Sequence, residues 1–390
     1  MKLLVIGLGQ CGGRIADRFA RLNKRAHSRR GIDIIAGAFA VNTDIADLSG
    51  LRTIKSDYKH RILIGGQRAN GHGVGKVSEL GAEIATEDSD KIIDALRTTE
   101  RFYETDAFLL IAAASGGTGS GAIGVITQHL KERYIGKPVY NIIVLPFQQE
   151  ETAEARTIYN TAMCLKSAYL VADAIFLIDN QRYIKKNSPA ETNLALINGR
   201  IVEPFYNLLC AGEETSKKYI GARTLDAGDI IQTIAGWTVI GEGKSSIPRR
   251  IPLLGQRRDF RDRMSETSKA AHTMDEALGE LSLTCNPKNA GRALYLVTAP
   301  PKEMKMDVMK QLGDNLKTVA PDALIRSGDY PRQKGSLNVT VILSEISSAR
   351  KITSYFTKAI DLISVMKAKR GLDYSNRKLE DTFNDIPVLL

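Results

Sequence analysis

The feature that most constrains the fold of this chain is a regular alternation of short apolar runs with helix-compatible stretches. The runs are rich in branched and small residues, as expected of strands that are buried on both faces. Their alternation with helices predicts a parallel sheet in a doubly wound α/β domain. The predicted strands are Lys2–Gly7, Ile34–Val41, Ala107–Ala114, Val139–Pro146 and Ala174–Asp179, with helices over Gly13–Asn23, Ser78–Arg97 and Gly121–Arg133.

The second half of the chain follows a different pattern. A central helical segment over Thr192–Gly212 contains Pro204, which is expected to kink or restart the helix. Beyond Gly236 a smaller α/β domain is predicted, with a helix near Met264–Leu281, strands over Arg292–Val297 and Leu337–Leu343, and a last helix marked by Ile352, Phe356, Ile360, Ile363 and Met366. The expected divisions are a first domain, a connecting segment, a second domain and a tail, over residues 1–212, 213–235, 236–371 and 372–390.

Composition limits the functional classes that need to be considered. The chain has 390 residues, of which 43% are hydrophobic, which is enough for two domains with their own cores. Its four cysteines form no CxxC pair and its five histidines are scattered, so neither a structural metal site nor a disulfide framework is predicted. Reduced thiols favour a cytoplasmic location, and no apolar run is long enough for a transmembrane anchor.

The formal net charge of +10 would by itself favour an anionic partner. The positive charge is concentrated in two stretches, Arg18–Arg30 and Lys244–Arg263. Neither stretch has the interleaved aromatic residues of a single-strand binder or the spacing of a zinc finger. We therefore expect a solvated face or a flexible loop in each place, and no nucleic-acid partner.

A glycine-rich loop, Gly7–Gly13, follows the first predicted strand. Its glycines allow the backbone to approach an anion closely, and the next helix would present its positive N-terminus. Gly7, Gly9 and Gly12 also match the GxGxxG fingerprint of dinucleotide-binding folds, with Asp44 as a candidate ribose partner. The loop alone therefore leaves an NAD-dependent oxidoreductase as an alternative function, although no catalytic His or Lys–Tyr constellation accompanies it.

A second glycine-rich loop, Ser115–Gly121, follows the third predicted strand and contains four glycines and three hydroxyl residues. A loop of this composition forms a nest of backbone donors with side-chain donors beside it. A dinucleotide fold does not need a second nest, whereas the charge of a nucleoside triphosphate has to be surrounded. No Walker A sequence is present, which excludes the ordinary P-loop GTPases.

Taken together, the two glycine loops resemble those of the tubulin/FtsZ superfamily, whose signature is a GGGTGSG-like loop. Ser115 stands in place of the first glycine of that signature. The resemblance extends along nearly the whole chain and is strongest to the archaeal CetZ branch, with supporting segments at Asn42–Thr43, Gly65–Gly75 and Glu79–Glu83. It implies a Rossmann-like GTPase domain joined by a central helix to a smaller α/β domain. It also implies GTP and GDP as ligands, Mg²⁺ as a cofactor, head-to-tail filaments and a role in cell shape.

The resemblance further implies roles for individual residues in nucleotide binding. Glu150 matches the acidic residue that contacts the ribose, although Glu154 stands where bacterial FtsZ has an arginine. Asn180 and Asn198 match the contacts to the base, for which an amide offers a donor and an acceptor; taken alone, they would be a loop cap and a surface residue. The other residues implied to bind the nucleotide are Gln10, Cys11, Gly12, Gly13, Arg14, Asn42, Gly73, Ser115, Gly116, Gly117, Thr118, Gly119 and Ser120.

Two downstream carboxylates, Asp226 and Asp229, are candidates for the group that polarises the attacking water. They are three residues apart and would face the same way on a helix. From the residues alone, they are equally well explained as an N-cap and a first-turn acid. In the superfamily the matching loop enters the nucleotide pocket of the next subunit, which implies a catalytic role for both and hydrolysis that depends on assembly. Their presence argues against a third hypothesis, a polymer that binds GTP without turnover.

The last residues, Leu379–Leu390, are acidic and then apolar. Asp385, Ile386 and Pro387 resemble the core of the C-terminal peptide by which FtsZ binds membrane-tethering proteins, so a protein of that kind is a candidate partner. The flexible linker of FtsZ is nearly missing here. Docking of the tail onto the chain's own second domain is therefore an equal alternative.

Overall fold

The computed structural model describes residues 1–184, 189–247, 260–332 and 335–370, and its strands form one continuous sheet. The strands of these described residues are β1 (Leu3–Leu8), β2 (Ile35–Asn42), β3 (Arg61–Leu63), β4 (Ala107–Ala113), β5 (Val139–Leu145), β6 (Ala174–Asp179), β7 (Gly236–Ser246), β8 (Ala290–Ala299), β9 (Leu324–Pro331) and β10 (Ser336–Ile346). Their order across the sheet is β3-β2-β1-β4-β5-β6-β7-β10-β8-β9.

The strands from β3 to β7 in this order run parallel to their neighbours. This arrangement confirms the predicted parallel sheet. All five strands predicted in the first half of the chain form, and their ends differ from the prediction by one residue at most. The agreement is expected because strands buried on both faces leave a continuous apolar run in the sequence.

Helices cover both faces of the sheet. Their bounds are α1 (Gly9–Arg30), α2 (Ile45–Ser49), α3 (Gly66–Ala69), α4 (Ser78–Glu87), α5 (Ser89–Arg97), α6 (Thr118–Arg133), α7 (Gln148–Ala153), α8 (Ala155–Val171), α9 (Ala190–Ala211), α10 (Ala227–Thr233), α11 (Phe260–Gly279), α12 (Met306–Val319) and α13 (Arg350–Arg370). The predicted helix over Ser78–Arg97 is thus two helices, α4 and α5, that meet at Asp88.

Two hydrophobic cores lie on opposite faces of the sheet, and alternate residues of β1 contribute to each. Leu4 and Ile6 belong to the core that includes side chains from α4, α6 and α8. Leu3 and Val5 belong to the core that includes side chains from α1 and α9. The layered α/β architecture follows from this alternation of side chains along a strand.

Helix α9 is the central helix, and it runs without interruption through Pro204. The predicted restart at this proline is therefore wrong. Proline removes one backbone donor from a helix, but the residues around it pack into the core and hold the helix together. Phe205, the next residue, lies with its ring 5.5 Å from that of Phe19 and 5.1 Å from that of Phe176.

The two ends of α9 lie at opposite edges of the sheet. The helix begins after the loop that follows β6, at the carboxyl edge of the parallel strands. Near its other end, the carbonyl of Leu209 accepts a hydrogen bond of 3.3 Å from the ammonium group of Met1, just before β1 starts. With about 1.5 Å of rise per residue, a helix of 22 residues is roughly 33 Å long. Helix α9 therefore carries the chain from one edge of the sheet to the other.

The smaller C-terminal part extends the sheet with mixed strand directions. Strand β10 is antiparallel to both β7 and β8, and β9 lies parallel to β8 at the edge of the sheet. The expectation of a loop over Lys244–Arg263 needs correction at both ends. Strand β7 continues to Ser246, with Lys244 paired with Asn338 of β10, and α11 begins at Phe260. Residues 248–259 of that predicted loop and the tail from residue 371 onward lie outside the described residues.

Candidate functional site

Most of the predicted nucleotide-binding residues lie at the ends of five adjacent parallel strands, at the carboxyl edge of the sheet. From β1 the chain continues to β2 and β3 on one side of the sheet and then returns to β4 on the other side. The strand order therefore reverses between β1 and β4. Ligands of open α/β sheets bind at such a switch point. The residues there are Gln10–Arg14 after β1, Asn42 at the end of β2, Ser115–Ser120 after β4, Glu150 after β5 and Asn180 after β6.

The first glycine loop is packed too tightly for side chains. Helix α1 begins at Gly9, whose φ of +69° favours glycine. A Cβ atom on Gly12 would collide with the carbonyl oxygen of Ile111 in β4, and one on Gly7 would collide with the carbonyl of Gly12. The sheet itself therefore requires glycine here. The same lack of side chains exposes the backbone N–H groups at the start of α1.

The second glycine loop lies directly against the first. A Cβ atom on Gly119 would approach the carbonyl oxygen of Leu8 to 2.7 Å, and one on Gly9 would approach the nitrogen of Gly119 to 3.1 Å. Helices α1 and α6 both begin here, and neither has an acidic residue in its first turn. Two helix N-termini at one place provide positive partial charge and free N–H donors, which is the environment that phosphate groups prefer.

A buried asparagine that the sequence analysis did not identify holds the second glycine loop in place. The side-chain amide of Asn160, on α8, donates to the carbonyls of Ser115 and Gly116, each at 3.1 Å, and to that of Lys76 at 2.9 Å. Its carbonyl oxygen accepts from the hydroxyl of Ser78 at 2.9 Å. Because Thr157, Thr161 and Lys166 of α8 are buried as well, no pattern in the sequence distinguishes Asn160 from them.

The loops after β2 and β3 close the site on one side. The hydroxyl oxygens of Thr43 and Thr118 lie 2.7 Å apart, which joins the end of β2 to the second glycine loop. The backbone N–H of Gly73 donates to the carbonyl of Thr43 at 3.1 Å. The structure therefore brings Asn42 and Gly73, two of the predicted binding residues, to the same wall.

Two aspartates of the segment after β2 have structural partners. Asp47 accepts a hydrogen bond from the amide of Asn42 at 3.0 Å and another from the amide of Gln10, so it aligns two predicted binding residues. Asp44, the candidate ribose partner of a dinucleotide, instead caps α2 by accepting from the N–H of Asp47 at 3.0 Å. This cap weakens the case for a dinucleotide in the first loop.

Glu150 lies near enough to Cys11 for its charge to act on the thiol. Burial of the thiol raises the pKa of Cys11 to about 12, and the negative charge of Glu150 acts in the same direction. Cys11 therefore remains a protonated, weakly reactive thiol, as expected of a packing residue. One carboxylate oxygen of Glu150 accepts from the backbone N–H of Phe147 at 2.8 Å and so caps the start of α7.

Arg14 and Asn198 line one cavity of about 370 Å³ between α1, the loop after α2 and the first turns of α9. Both residues are predicted nucleotide-binding residues, and the fold places them together although they are far apart in sequence. Arg18 and Arg52 also line this cavity, which gives it a basic wall. Asn180 is buried directly after β6.

Helix α13 contacts the loops that carry Glu150 and Asn180 from the C-terminal part of the chain. The ammonium group of Lys351 lies 2.7 Å from a carboxylate oxygen of Asp179, the residue before Asn180. The hydroxyl of Tyr355 donates to Glu151, the residue after Glu150, at 2.5 Å. The pKa of Tyr355 is raised mainly by burial and secondly by this hydrogen bond, so the phenol remains a donor.

The predicted catalytic carboxylates lie at the opposite edge of the sheet. In the chain, they follow the end of α9 and shortly precede β7. The first residue of β7, Gly236, pairs with Ala174, the first residue of β6, so both strands begin at this edge. Asp226 is the N-cap of α10 and accepts from the N–H of Asp229 at 2.8 Å. Asp226 and Asp229 thus have the local roles that the residues alone offered as the alternative, an N-cap and a first-turn acid, and their catalytic role stays a prediction. Asp229 accepts from the guanidinium of Arg326 at 2.6 Å.

Each of these two carboxylates is fixed through one oxygen atom. Within the described residues, the second oxygen, Oδ2, of Asp226 and of Asp229 has no hydrogen-bond partner. Neither carboxylate reaches the glycine loops of its own chain, because the length of α9 separates the two sites. At this edge of the sheet Asp226 is exposed and Asp229 is half-buried.

The described residues contain no group of three or more His, Cys, Asp or Glu side chains that could hold a metal ion. None of the helices in the same part of the chain combines the length and the apolar content needed to cross a bilayer.

Comparison with known protein families agrees with this architecture. Residues 2–188 match the model of the tubulin/FtsZ family GTPase domain, and residues 189–361 match that of the tubulin-like CetZ C-terminal domain. The chain belongs to the tubulin/FtsZ family, in its CetZ branch. The two matches meet at the start of α9. This helix separates the glycine loops from the acidic loop, the segment over residues 221–229 that carries Asp226 and Asp229.

Individual CetZ proteins resemble this family member along almost their whole length. The tubulin-like protein CetZ1 of Haloferax volcanii is 33% identical over 376 residues, which cover 93% of this chain and 92% of the relative. The structure of the GDP-bound CetZ1 monomer matches with a TM-score of 0.79 at 29% identity, over 93% of this chain and 99% of the other. Haloferax volcanii CetZ2, solved as a GTPγS-bound protofilament, matches with a TM-score of 0.80 at 25% identity, over 94% and 100%. None of these matches supports the oxidoreductase alternative.

Proposed function

We propose that this CetZ-family protein binds GTP at the carboxyl edge of its sheet, assembles head to tail and hydrolyses GTP at the contact between subunits. The supporting observation is the separation of two half-sites by α9. Among the described residues, one edge carries the two glycine loops that are proposed to hold the phosphates, and the other carries Asp226 and Asp229. Head-to-tail stacking brings the second edge of one subunit onto the first edge of the next.

The glycine loops are proposed to hold the phosphates through backbone N–H groups, at the N-termini of α1 and α6. Glu150 is proposed to contact the ribose through the oxygen that does not cap α7, and Asn180 and Asn198 to contact the base. The GDP and GTPγS in the CetZ1 and CetZ2 structures support GTP and GDP as the ligands. The CetZ2 protofilament supports self-association as the mode of assembly.

Hydrolysis is proposed to follow from the placement of Asp226 and Asp229 of one subunit near the terminal phosphate of the next. A water oxygen attacks the γ-phosphorus, the bond from that phosphorus to the β–γ bridging oxygen breaks, and GDP and phosphate leave. The free oxygens of the two carboxylates accept hydrogen bonds from the attacking water and orient it. Its proton is transferred to the phosphate or to a carboxylate as the new bond forms.

Mg²⁺ is proposed as a cofactor that the nucleotide itself carries. Magnesium keeps several of its waters and is bound mainly through substrate phosphates, so it does not need a protein cage. The unpartnered Oδ2 atoms of Asp226 and Asp229 fit this role, because they can accept hydrogen bonds from such waters. When bound, the ion would neutralise phosphate charge.

A role in the control of cell shape is proposed from the family resemblance alone. A membrane-tethering protein that binds the C-terminal tail is likewise proposed from the sequence of Leu379–Leu390, which lies outside the described residues. Deletion of the tail tests this second proposal. Loss of localisation with normal assembly supports a tether, whereas loss of stability supports docking onto the chain's own body.

The central proposal predicts that GTP turnover per subunit depends on protein concentration. Turnover should be nearly absent below a threshold concentration and should rise above it together with light scattering, because assembly completes the site. The measurement is phosphate release with Mg²⁺ over a range of protein concentrations, with scattering recorded on the same samples. A turnover per subunit that stays constant across the threshold would contradict a site shared between subunits.

A further inference from the structure

The acidic loop, whose last residues form the first turn of α10, is held from both ends by the edge strand β9. Asp329 of β9 accepts from the backbone N–H groups of Ala222 at 2.9 Å and Arg223 at 2.5 Å. Its own N–H donates to the carbonyl of Arg223 at 2.9 Å. Gly221 lies so close to the backbone of Asp329 that a Cβ atom there would collide with it. The start of the loop is therefore fixed to β9.

Arg326, three residues earlier on β9, reaches the other end of the same loop. One terminal nitrogen of its guanidinium donates to Oδ1 of Asp229 at 2.6 Å. The other terminal nitrogen donates to the side-chain oxygen of Gln232, one turn further along α10. Because the guanidinium is planar, two contacts through different nitrogens determine its orientation and that of the carboxylate it holds.

We propose that Arg326 is a positioning residue for GTP hydrolysis at the subunit contact, which it serves by directing the free Oδ2 of Asp229 toward the nucleotide of the next subunit. The proposal rests on the proposed function, in which Asp229 orients the attacking water. An unheld aspartate at this exposed edge would sample several rotamers, and a displacement of about 1 Å from the reactive geometry lowers a rate by up to about 100-fold. Arg326 suppresses that sampling.

The fold does not depend on this ion pair for its stability. Both side chains are 30% exposed, and ion pairs with that degree of solvent contact contribute little to stability, typically below about 1 kcal/mol. Removal of Arg326 should therefore leave folding, GTP binding and assembly intact while it impairs turnover. This separation makes the proposal testable.

The test compares Arg326→Ala with Arg292→Ala. Arg292 lies on the neighbouring strand β8, is similarly exposed and contacts the same helix through the carbonyl of Gln232 at 2.6 Å, but it does not touch Asp229. In Arg326→Ala we expect turnover per assembled subunit to fall about 10- to 100-fold. The threshold for assembly and the dissociation constant for GTP should stay within about twofold of the wild type. Arg292→Ala should retain its turnover, and Arg326→Lys, which keeps one contact, should recover part of it.

Three outcomes would overturn the proposal: unchanged turnover in Arg326→Ala, equal losses in Arg292→Ala, or a loss that is matched by a raised assembly threshold. A second measurement separates positioning from direct contact with phosphate. In an Asp229→Ala background, Arg326→Ala should not lower the residual turnover any further, and an additional loss would show that Arg326 acts on the nucleotide itself. A wild-type protein without assembly-dependent turnover would refute the proposed function and this inference together, whereas normal Arg326→Ala turnover would refute the inference alone.

Discussion

At the scale of single residues, the glycines of the two loops carry more structural information than the polar residues around them. Gly12 is required because a side chain there would collide with Ile111 of β4, and Gly119 because one would approach Leu8. Such collisions leave no alternative residue, so the sequence pattern identifies both loops. Polar residues are less constrained, since one carboxylate can cap a helix, pair with a cation or bind a ligand. Asp44, predicted as a ribose partner in the oxidoreductase alternative, proves to be a cap of this kind.

Asp226 combines a structural and a proposed catalytic role, and the two can be separated. Serine is as good an N-cap as aspartate, whereas alanine is not and would cost about 1 kcal/mol of helix stability. We therefore expect Asp226→Ser to keep the stability of the wild type, to bind GTP and to assemble, but to lose most of its turnover because the carboxylate is missing. Thermal unfolding, nucleotide titration and phosphate release on one preparation measure these quantities.

The Asp226→Ala variant serves as the comparison. It should lose turnover to the same degree and should also unfold at a lower temperature, because it lacks the cap. Full turnover in Asp226→Ser would mean that Asp226 is only a cap and would leave Asp229 as the sole catalytic candidate.

At the scale of elements, α13 links the C-terminal part of the chain to the nucleotide loops. The carboxylates of Glu151 and Asp179 are 12% and 11% exposed, and Lys351 lies between them at 4.0 Å and 2.7 Å. Two nearly buried carboxylates repel each other unless a cation separates them. Lys351 thus holds together the loops after β5 and β6, which carry the predicted contacts to the sugar and the base.

We expect Lys351→Ala to weaken GTP binding and to lower stability. The loss of a hydrogen-bonded charge should cost roughly 1–3 kcal/mol, divided between unfolding and binding. A share of about 1.4 kcal/mol in binding would raise the dissociation constant tenfold.

Lys358→Ala is the control, since Lys358 is about half exposed and lies 3.5 Å from Glu151. Lys351→Arg should restore most of the affinity. Nucleotide titration below the assembly threshold measures the effect, and an unchanged affinity in a folded Lys351→Ala protein would show that α13 does not support the site.

The elements also differ in how well the sequence predicts them. Strands β1, β2, β4, β5 and β6 of the parallel sheet follow from continuous apolar runs, whereas β3 and β7 are not among the predicted strands. The last residues of β7, Lys244–Ser246, fall in the predicted basic loop because they are polar. Strand β9 is not predicted either, because Arg326, Ser327 and Asp329 interrupt its apolar pattern. Edge and mixed strands are stabilised by pairing with their neighbours, and pairing leaves no periodic signal in a single sequence.

At the scale of the whole molecule, α9 sets the distance between the two half-sites. A GTP molecule at the glycine loops would be out of reach of Asp226 and Asp229 of the same subunit. Hydrolysis should therefore act on the nucleotide of a neighbour. Hydrolysis of a neighbour's nucleotide requires both parts of the chain, because the glycine loops lie before α9 and Asp226 and Asp229 lie after it.

A mixing experiment tests this prediction directly. Asp229→Ala subunits are loaded with labelled GTP and mixed above the assembly threshold with wild-type subunits and excess unlabelled GTP. We expect the labelled GTP to be hydrolysed in the mixture, because wild-type carboxylates reach the nucleotide of the adjacent variant subunit. The same variant without wild-type subunits should retain its label. Retention of the label in mixed filaments, under conditions where wild-type turnover proceeds, would show that each subunit hydrolyses only its own GTP.

The domain divisions predicted at residues 212, 235 and 371 stay predictions. The described strands form a single sheet that continues from β6 through β7 into the C-terminal part. The matches to the two family models meet earlier, between residues 188 and 189.

The sequence by itself determined the parallel sheet, the two glycine loops at its carboxyl edge, the acidic loop and the family. These features depend on local rules: strands buried on both faces need continuous apolar residues, and the tightly packed loops have no space for a side chain larger than that of glycine. Local rules of this kind leave a pattern in adjacent residues. Only the tertiary structure decided which side chains meet: Asn160 with Ser115, Lys351 with Asp179 and Arg326 with Asp229. The partners in each pair are tens to more than a hundred residues apart, and a polar side chain gives no local sign of which distant group will satisfy it.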